Sequence, residues 1–255
     1  MFRVATWNVN SLRVRLPQVL AWLQAEQPDV FAMQETKMPD EDFPLREFRD
    51  AGYEAVFSGQ KTYNGVAIAG RAPMANVLTE FPEFDDPQRR LIFAEAGGIA
   101  LLNLYVPNGS EVGSEKYSYK LHWLSHLHDF LRSVRARNPR LIAMGDFNIA
   151  PADEDVHDPR KWEGQVLCSA PERAQFFKLL AAGLVDCFRV FEQAPQSFSW
   201  WDYRAASFRR NRGLRIDHIL LSTELAKRCT ACAIDREPRK WEQPSDHTPV
   251  IATLA

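Results

Sequence analysis

Three short polar runs, each following an apolar strand-like stretch, carry the chemistry of this chain: Gln34–Glu35, Gly145-Asp146-Phe147-Asn148 and Pro244-Ser245-Asp246-His247-Thr248. Strand ends that bring together a carboxylate, an amide and an imidazole make a hydrolytic site for a charged ester, working with one hard divalent cation. The run Leu141–Met144 leads into Gly145, and alternation along an extended chain points Asp146 and Asn148 the same way while Phe147 anchors inward. A carboxylate can orient or deprotonate water, and an amide can donate to a phosphoryl oxygen. An Asx turn at a strand end accounts for the same residues equally well. Glu35 follows a strand too apolar to be exposed, where an unpaired carboxylate is costly. A Mg2+ or Mn2+ ion is the simpler partner, and an ion pair with Lys37 or an arginine is the alternative.

Asp246 and His247 sit between Pro244 and Pro249, which stiffen the loop. Sequence neighbours in extended chain point to opposite sides, so the imidazole needs a carboxylate from elsewhere, and Asp217 is the choice. Such a pairing raises the histidine pKa and keeps it charged against a phosphate, whereas an exposed histidine would need no partner. Asn8 and Asn10 end the first strand, with Val9 packing inward between them. Their amides suit phosphate oxygens or metal-bound water, and a polar strand end turning into a loop is the plainer alternative. His122 and His126 lie one helical turn apart, but no Glu follows His122 and His128 falls on another face, so they read as helix surface. Trp200, Trp201 and Tyr203 precede Arg204, Arg209, Arg210, Arg212 and Arg215, a mixture that suits an unstacked nucleotide, although an aromatic core is the ordinary reading. No GxSxG, P-loop or GxGxxG occurs, which leaves serine hydrolysis, nucleoside triphosphate hydrolysis and dinucleotide redox chemistry without support.

The elements that must position these groups are short strands alternating with amphipathic helices. Strands are expected at Phe2–Thr6, Asp29–Met33, Tyr53–Phe57, Gly65–Ala69, Leu91–Ala96, Ile99–Leu104, Leu141–Met144, Ile216–Leu221, Thr230–Asp235 and Val250–Leu254. Helices are expected at Leu16–Ala25, with Pro17 in its first turn, at Tyr117–Val134 and at Pro171–Ala181. That alternation, with more strands than one sheet usually holds, predicts an α/β fold of two packed, mostly antiparallel β-sheets flanked by helices, a four-layer sandwich. No repeat, linker or boundary divides the 255 residues, so one domain over 1–255 is expected. The loops Asp85–Arg90 and Pro151–Pro171 are candidate binding loops.

Hydrophobic content of 45% and charged content of 25% fit a globular protein rather than a disordered one. No apolar run approaches the length of a membrane span and no signal segment precedes Phe2, so no membrane association and a cytoplasmic location are expected. A formal net charge of −2 argues against a protein that coats nucleic acid by overall basicity. The four cysteines are too few for a disulfide framework. Cys229 and Cys232 form a CxxC without a second pair or a nearby His, inside a predicted strand, and read as structural thiols.

Taken together, the chain resembles the exonuclease III family of DNA-repair nucleases, within the exonuclease–endonuclease–phosphatase superfamily. The resemblance runs through TWNVNSLR from Thr6, QETK from Gln34, NGVAI from Asn64, LYVPNG from Leu104, GDFNIAPAD from Gly145, GLRIDHILLS from Gly213 and PSDH from Pro244. It implies a metal-dependent phosphodiesterase acting on double-stranded DNA at abasic sites and 3′ ends, leaving a 3′-hydroxyl, with Mg2+ or Mn2+ as cofactor and no obligate protein partner. Glu35 would be the main metal ligand, with Asn8, Asn10 and Asp246 around the ion and Asp146 and Asn148 bordering it. Asp146 would orient or deprotonate the attacking water, Asn148 and Tyr105 would contact the scissile phosphate, and His247 paired with Asp217 would stabilise it, the base being either Asp146 or His247. Trp200, Leu214 and Ile216 resemble positions lining a pocket for a base-less sugar, with Asn108 and Arg212 as further substrate contacts. Asn10 stands where some members carry Asp. A phosphodiesterase for lipid or inositol phosphates would share this core, and a silent DNA-binding module would have no use for Glu35, Asp146, Asp217 and His247 together.

Overall fold

An extended segment that is apolar on both sides has to be covered twice, and Val30–Gln34 shows how this chain does it. Val30 and Ala32 pack into one cluster, while Phe31 and Met33, pointing the other way, pack into a second. The computed structural model describes residues 1–255. The chain runs β1 (Phe2–Asn8), α1 (Leu12–Glu26), β2 (Val30–Gln34), α2 (Leu45–Asp50), β3 (Glu54–Ser58), β4 (Val66–Gly70), β5 (Ala75–Leu78), β6 (Leu91–Ala96), β7 (Ile99–Tyr105), α3 (Glu115–Arg137), β8 (Leu141–Asp146), α4 (Pro159–Trp162), α5 (Ala170–Ala181), β9 (Leu184–Asp186), β10 (Asp217–Ser222), α6 (Thr223–Ala226), β11 (Cys229–Ile234) and β12 (Val250–Leu254).

The strands form two six-stranded sheets, ordered β11-β12-β1-β2-β4-β3 and β5-β6-β7-β8-β10-β9. Only β1–β2 and β7–β8 pair in parallel; every other pair is antiparallel. Each parallel pair is joined by a helical crossover, α1 in one sheet and α3 in the other, as parallel strands require. The two sheets therefore repeat one strand plan. The cluster between them draws Val4, Ala32 and Ile68 from the first sheet and Ala94, Leu101, Met144 and Ile219 from the second. The outer face of the first sheet is covered by Leu12, Val19, Trp22 and Leu23 of α1 and Phe48 of α2. The outer face of the second is covered by Trp123, Leu127 and Leu131 of α3 and Phe176 and Leu179 of α5. This is the four-layer sandwich expected from the alternation of elements.

Polar groups also cross the sandwich. Gln34 of β2 donates to Thr6 Oγ1 at 2.8 Å and across the layers to Asn103 Oδ1 of β7 at 2.7 Å. Asn103 in turn donates to the carbonyls of Met33 and Ala67, each at 2.8 Å. These donor contacts pin the sheets at one register, although the Gln34 Oε1 itself is buried without a partner.

The helices differ from expectation at their starts. α1 begins at Leu12, which puts Pro17 inside the helix rather than in its first turn. The N–H groups of Ser11 and Leu12 donate to the carbonyls of Glu35 (2.7 Å) and Thr36 (3.1 Å), so the loop after β2 holds that end, and Pro17 forfeits only its own bond to Arg13. α3 starts at Glu115, where Ser114 accepts from Tyr117 N at 3.1 Å. α5 opens on a reciprocal Ser169–Glu172 capping box. β5 and β9 were not expected: the first is exposed at every position and the second is three residues long. No helix is long and apolar enough to cross a membrane.

Candidate active site

The four central strands end at one rim of the sandwich, and each delivers a polar residue there. Asn8 closes β1, Glu35 follows β2, Tyr105 closes β7 and Asp146 closes β8. β10 runs antiparallel to β8, so its first residue, Asp217, pairs directly with Asp146. Gly145, with φ +145°, makes that last step possible, because a Cβ there would lie 2.0 Å from the Leu104 carbonyl oxygen. Past the strand ends, Asn10, Glu35, Lys37 and Asn148 all hold left-handed backbone, at φ 43°, 52°, 54° and 48°. That conformation costs non-glycine residues about 1–2 kcal/mol each, and its clustering here marks backbone held by its surroundings.

The loop carrying Asp246 and His247 is stitched to β1 and to the segment at Trp201. Ser245 Oγ donates to Asn8 O at 2.6 Å, Trp7 Nε1 to His247 O at 3.2 Å, and Trp201 N to Asp246 O at 3.0 Å. His247 and Asp246 then diverge. His247 Nδ1 donates to Asp217 at 2.9 Å, and Ser199 Oγ donates to the same carboxylate at 2.6 Å while accepting the N–H groups of Ile216 and Asp217. Asp246 accepts from Trp200 Nε1 at 3.0 Å and from Asn10 Nδ2 at 2.9 Å. His247 Nε2 stands 3.7 Å from Asp146, too far for a hydrogen bond.

Asn8 links the two sides. Its amide donates to Glu35 at 2.8 Å and to Asp146 at 2.9 Å, while its own oxygen accepts Asn10 N at 3.0 Å. Asn10 accepts from Lys37 Nζ, and Lys37 also pairs with Glu35 at 2.7 Å. The Asn8 and Asn10 amide oxygens, expected to face an ion, are thus engaged within the protein. Asn148 N donates to Asp146 Oδ1 at 2.9 Å; its side chain accepts from Asn108 and donates to Val106 O. Lys120, buried beneath, donates to the carbonyls of Asn108 and Asn148 and pairs with Glu172 at 2.5 Å, tying both loops to α5.

These contacts set the charge states. Burial alone would raise Glu35, but the Lys37 ammonium, the Asn8 amide and His247 hold it below the ordinary value. Burial pushes Asp146 up to about 7, with Asp217 adding to the rise and His247 opposing it. Burial works against a charged His247, yet the Asp217 and Asp146 carboxylates raise it to about 10. Tyr105 is pushed well above its usual range by burial and by Glu35, so its phenol stays protonated. Glu35, Asp146 and His247 present ligand atoms within 4.8 Å of one another. Three inner carboxylates face two inner cations, Lys37 and His247, so negative charge is left over. A hard divalent cation beside the carboxylate oxygens of Glu35 and Asp146 fits that donor set.

Elsewhere the geometry departs from the sequence reading. Leu214 and Ile216 are buried with Val156 and Leu167 in a small cluster under Trp200, rather than lining open space. Of the arginine run, Arg212 is exposed, whereas Arg215 is buried and paired with Asp155 (2.6 Å) and Asp186 (2.8 Å). Trp201 is core, and Tyr203 is exposed beside Asn10. Ser199 and Lys120 were not singled out from sequence, and neither residue type carries a local signal for its role.

A family model described as the Endonuclease/Exonuclease/phosphatase family matches residues 5–247. Exodeoxyribonuclease III of Haemophilus influenzae is 37% identical, over 97% of this chain and 97% of that protein. Among solved structures, the 3′ phosphatase NExo from Neisseria, bound to a product DNA hairpin, superposes with a TM-score of 0.98 at 44% identity, covering 100% of both chains. An AP endonuclease from Archaeoglobus fulgidus superposes at 0.96 and 40% identity, covering 100% of this chain and 99% of that one.

Proposed function

This chain belongs to the endonuclease/exonuclease/phosphatase family, in its exonuclease III branch, and on that basis we propose how its own residues hydrolyse DNA. The protein is a DNA-repair nuclease, a phosphodiesterase that acts at abasic sites and 3′ ends. The observation that carries the mechanism is a buried imidazole held between two carboxylates, with Glu35 in reach.

Glu35 and Asp146 would hold one Mg2+ or Mn2+, with Asn148 and Asp246 nearby. When bound, that ion supplies positive charge to the phosphoryl and leaving oxygens. His247, held charged by the Asp217 and Asp146 carboxylates, takes the donor role, and its Nε2–H, which has no protein acceptor, would face a phosphoryl oxygen. Asp146 is the remaining carboxylate able to take a proton from water, and it stands opposite that nitrogen. Asp217 and Ser199 fix the imidazole from behind. The neutral Tyr105 phenol and the second N–H of the Asn148 amide donate to the developing charge without competing for its proton, while Asn8 holds Glu35 and Asp146 in place. Trp200, half-buried above the packed cluster of Leu214 and Ile216, would offer a face to an extruded base-less sugar, and exposed Arg212 would meet the backbone.

Three duplexes test this reading: one with a single abasic site, one with a recessed 3′ end and one with a 3′-phosphate. With Mg2+ we expect incision beside the abasic site to leave a 3′-hydroxyl and a 5′-phosphate on the sugar side, and a chelator to stop it. Failure to process any of the three with either Mg2+ or Mn2+ would remove the assignment.

A further inference from the structure

Three of the four cysteines meet at the edge of the sandwich. An odd spacing within a regular strand would send Cys229 and Cys232 to opposite faces. A β-bulge after Cys229 inserts one residue, so Cys229 pairs with Leu254 and Cys232 with Ala252, two positions apart on β12. Both sulfurs therefore turn to the same side. The turn Cys187–Val190 that follows β9, the edge of the other sheet, brings Cys187 against them. Cys187 and Cys232 lie 3.0 Å apart, Sγ to Sγ, across 45 positions of chain.

We propose that this trio is a peroxide-reactive thiol site, in which half-buried Cys229 takes the oxidation, Cys187 resolves it and the disulfide comes to rest between Cys187 and Cys232. Exposure is graded to fit: Cys229 is open to solvent on one side, Cys232 is 6% exposed and Cys187 is sealed. The neighbouring Cys187 thiol holds Cys229 down to about 7, which leaves thiolate at neutral pH, whereas burial keeps Cys187, whose S–H points to Cys232, protonated. Cys168, raised to about 12 by burial, is an internal control. A metal is the weaker reading, because the sulfurs do not gather within the 4.8 Å in which Glu35, Asp146 and His247 converge.

The Cys229 thiolate attacks one oxygen of hydrogen peroxide. An S–O bond forms, the O–O bond breaks, and the departing hydroxide takes a proton to become water. Cys187 attacks the sulfenic sulfur, and the hydroxyl leaves as water with the Cys187 proton. Cys232, giving up its proton, then attacks the Cys187 sulfur and Cys229 leaves as thiolate. Two thiols are oxidised and one peroxide is reduced to two waters. The product joins the edges of the two sheets.

The test is stoichiometric peroxide on the folded protein at neutral pH, alkylation of the remaining thiols and peptide mapping by mass spectrometry. Two thiols should vanish together, with the Cys187 peptide linked to the 229–236 peptide and Cys168 fully alkylated. Cys229→Ser, at a half-exposed position, should slow thiol loss at least tenfold. Cys187→Ala should leave a sulfenic acid on Cys229 that dimedone traps, and Cys232→Ser should halt at a Cys187–Cys229 bond. Thiol loss at the original rate in Cys229→Ser, Cys168 reacting as fast as Cys229, or peroxide carrying Cys229 to sulfinic acid with no disulfide would each overturn the proposal.

Discussion

Two buried ionic clusters hang from opposite faces of β10, and they treat histidine in opposite ways. Asp217 faces the rim and grips His247; its neighbour His218 faces inward and meets Arg215. His218 accepts from the Arg215 guanidinium at 3.0 Å through Nδ1 and donates through Nε2 to the Ile149 carbonyl at 2.9 Å. Those two contacts demand a neutral ring, and burial with the nearby guanidinium lowers its pKa to about 4. His247 has carboxylates on both sides and is raised to about 10. One cluster closes on itself: Asp155 and Asp186 satisfy Arg215, and every partner is protein. The other keeps a donor unspent and carboxylate to spare. Surplus charge and an unused donor, rather than burial, distinguish the working site from the structural one.

The contrast breaks most readily at Arg215. Arg215→Met leaves Asp186 buried without its cation and Asp155 with Arg189 alone, and should cost about 3–5 kcal/mol in urea unfolding. Turnover per folded molecule should change less than about threefold, since stability and catalysis are claimed to be separate here. A collapse of turnover with unchanged stability would merge the clusters into one. His247→Ala should strike catalysis as well as the fold, lowering kcat per folded molecule on an abasic duplex by about 10²–10³ with DNA affinity moving little. It should also lower the melting temperature, because Asp217 is left buried without its cation. Retention of most turnover would show that the unspent donor is idle.

Acid titration sharpens the comparison. The folded pKa of His218 lies below its unfolded value, so the unfolded chain binds the proton more readily. Its contribution is complete above about pH 6.5 and lost as pH falls toward 4, about 3 kcal/mol in all. His218→Gln should flatten that part of the stability profile, measured by urea unfolding at stepped pH; an unchanged slope would mean the ring is not held neutral. The smallest effect is expected at Ser199. Ser199→Ala removes one hydrogen bond to Asp217 and should lower kcat about tenfold, with KM nearly constant. A larger change in KM than in kcat would move Ser199 from positioning the imidazole to binding substrate.

Much of the rim was legible because strand ends announce themselves: an apolar run stops and an Asp, Glu or Asn begins, as at Met144–Asp146 and Met33–Glu35. The Asp217–His247 pairing followed from alternation, which forbids Asp246 from serving its neighbour. Other features had no local signature. β5 shows no buried face to set a period, and β9 is too short to show one. Pro17 reads as a first-turn residue until the loop after β2 is seen to hold the residues before it. Arg215 looks like its exposed neighbours, and only two carboxylates, 60 and 29 positions away, take it inside. The partner of Cys229 and Cys232 lies in the turn after the edge strand of the other sheet, and a bulge no pattern betrays turns both toward it.

Each sheet of the sandwich carries half of the proposed machinery: Asn8 and Glu35 ride on one, Tyr105, Asp146 and Asp217 on the other. The Gln34–Asn103 contact is the bolt between the halves just beneath them. Slippage there would part Glu35 from Asp146 while every ladder stayed zipped. Warming should therefore idle this enzyme some degrees before it melts.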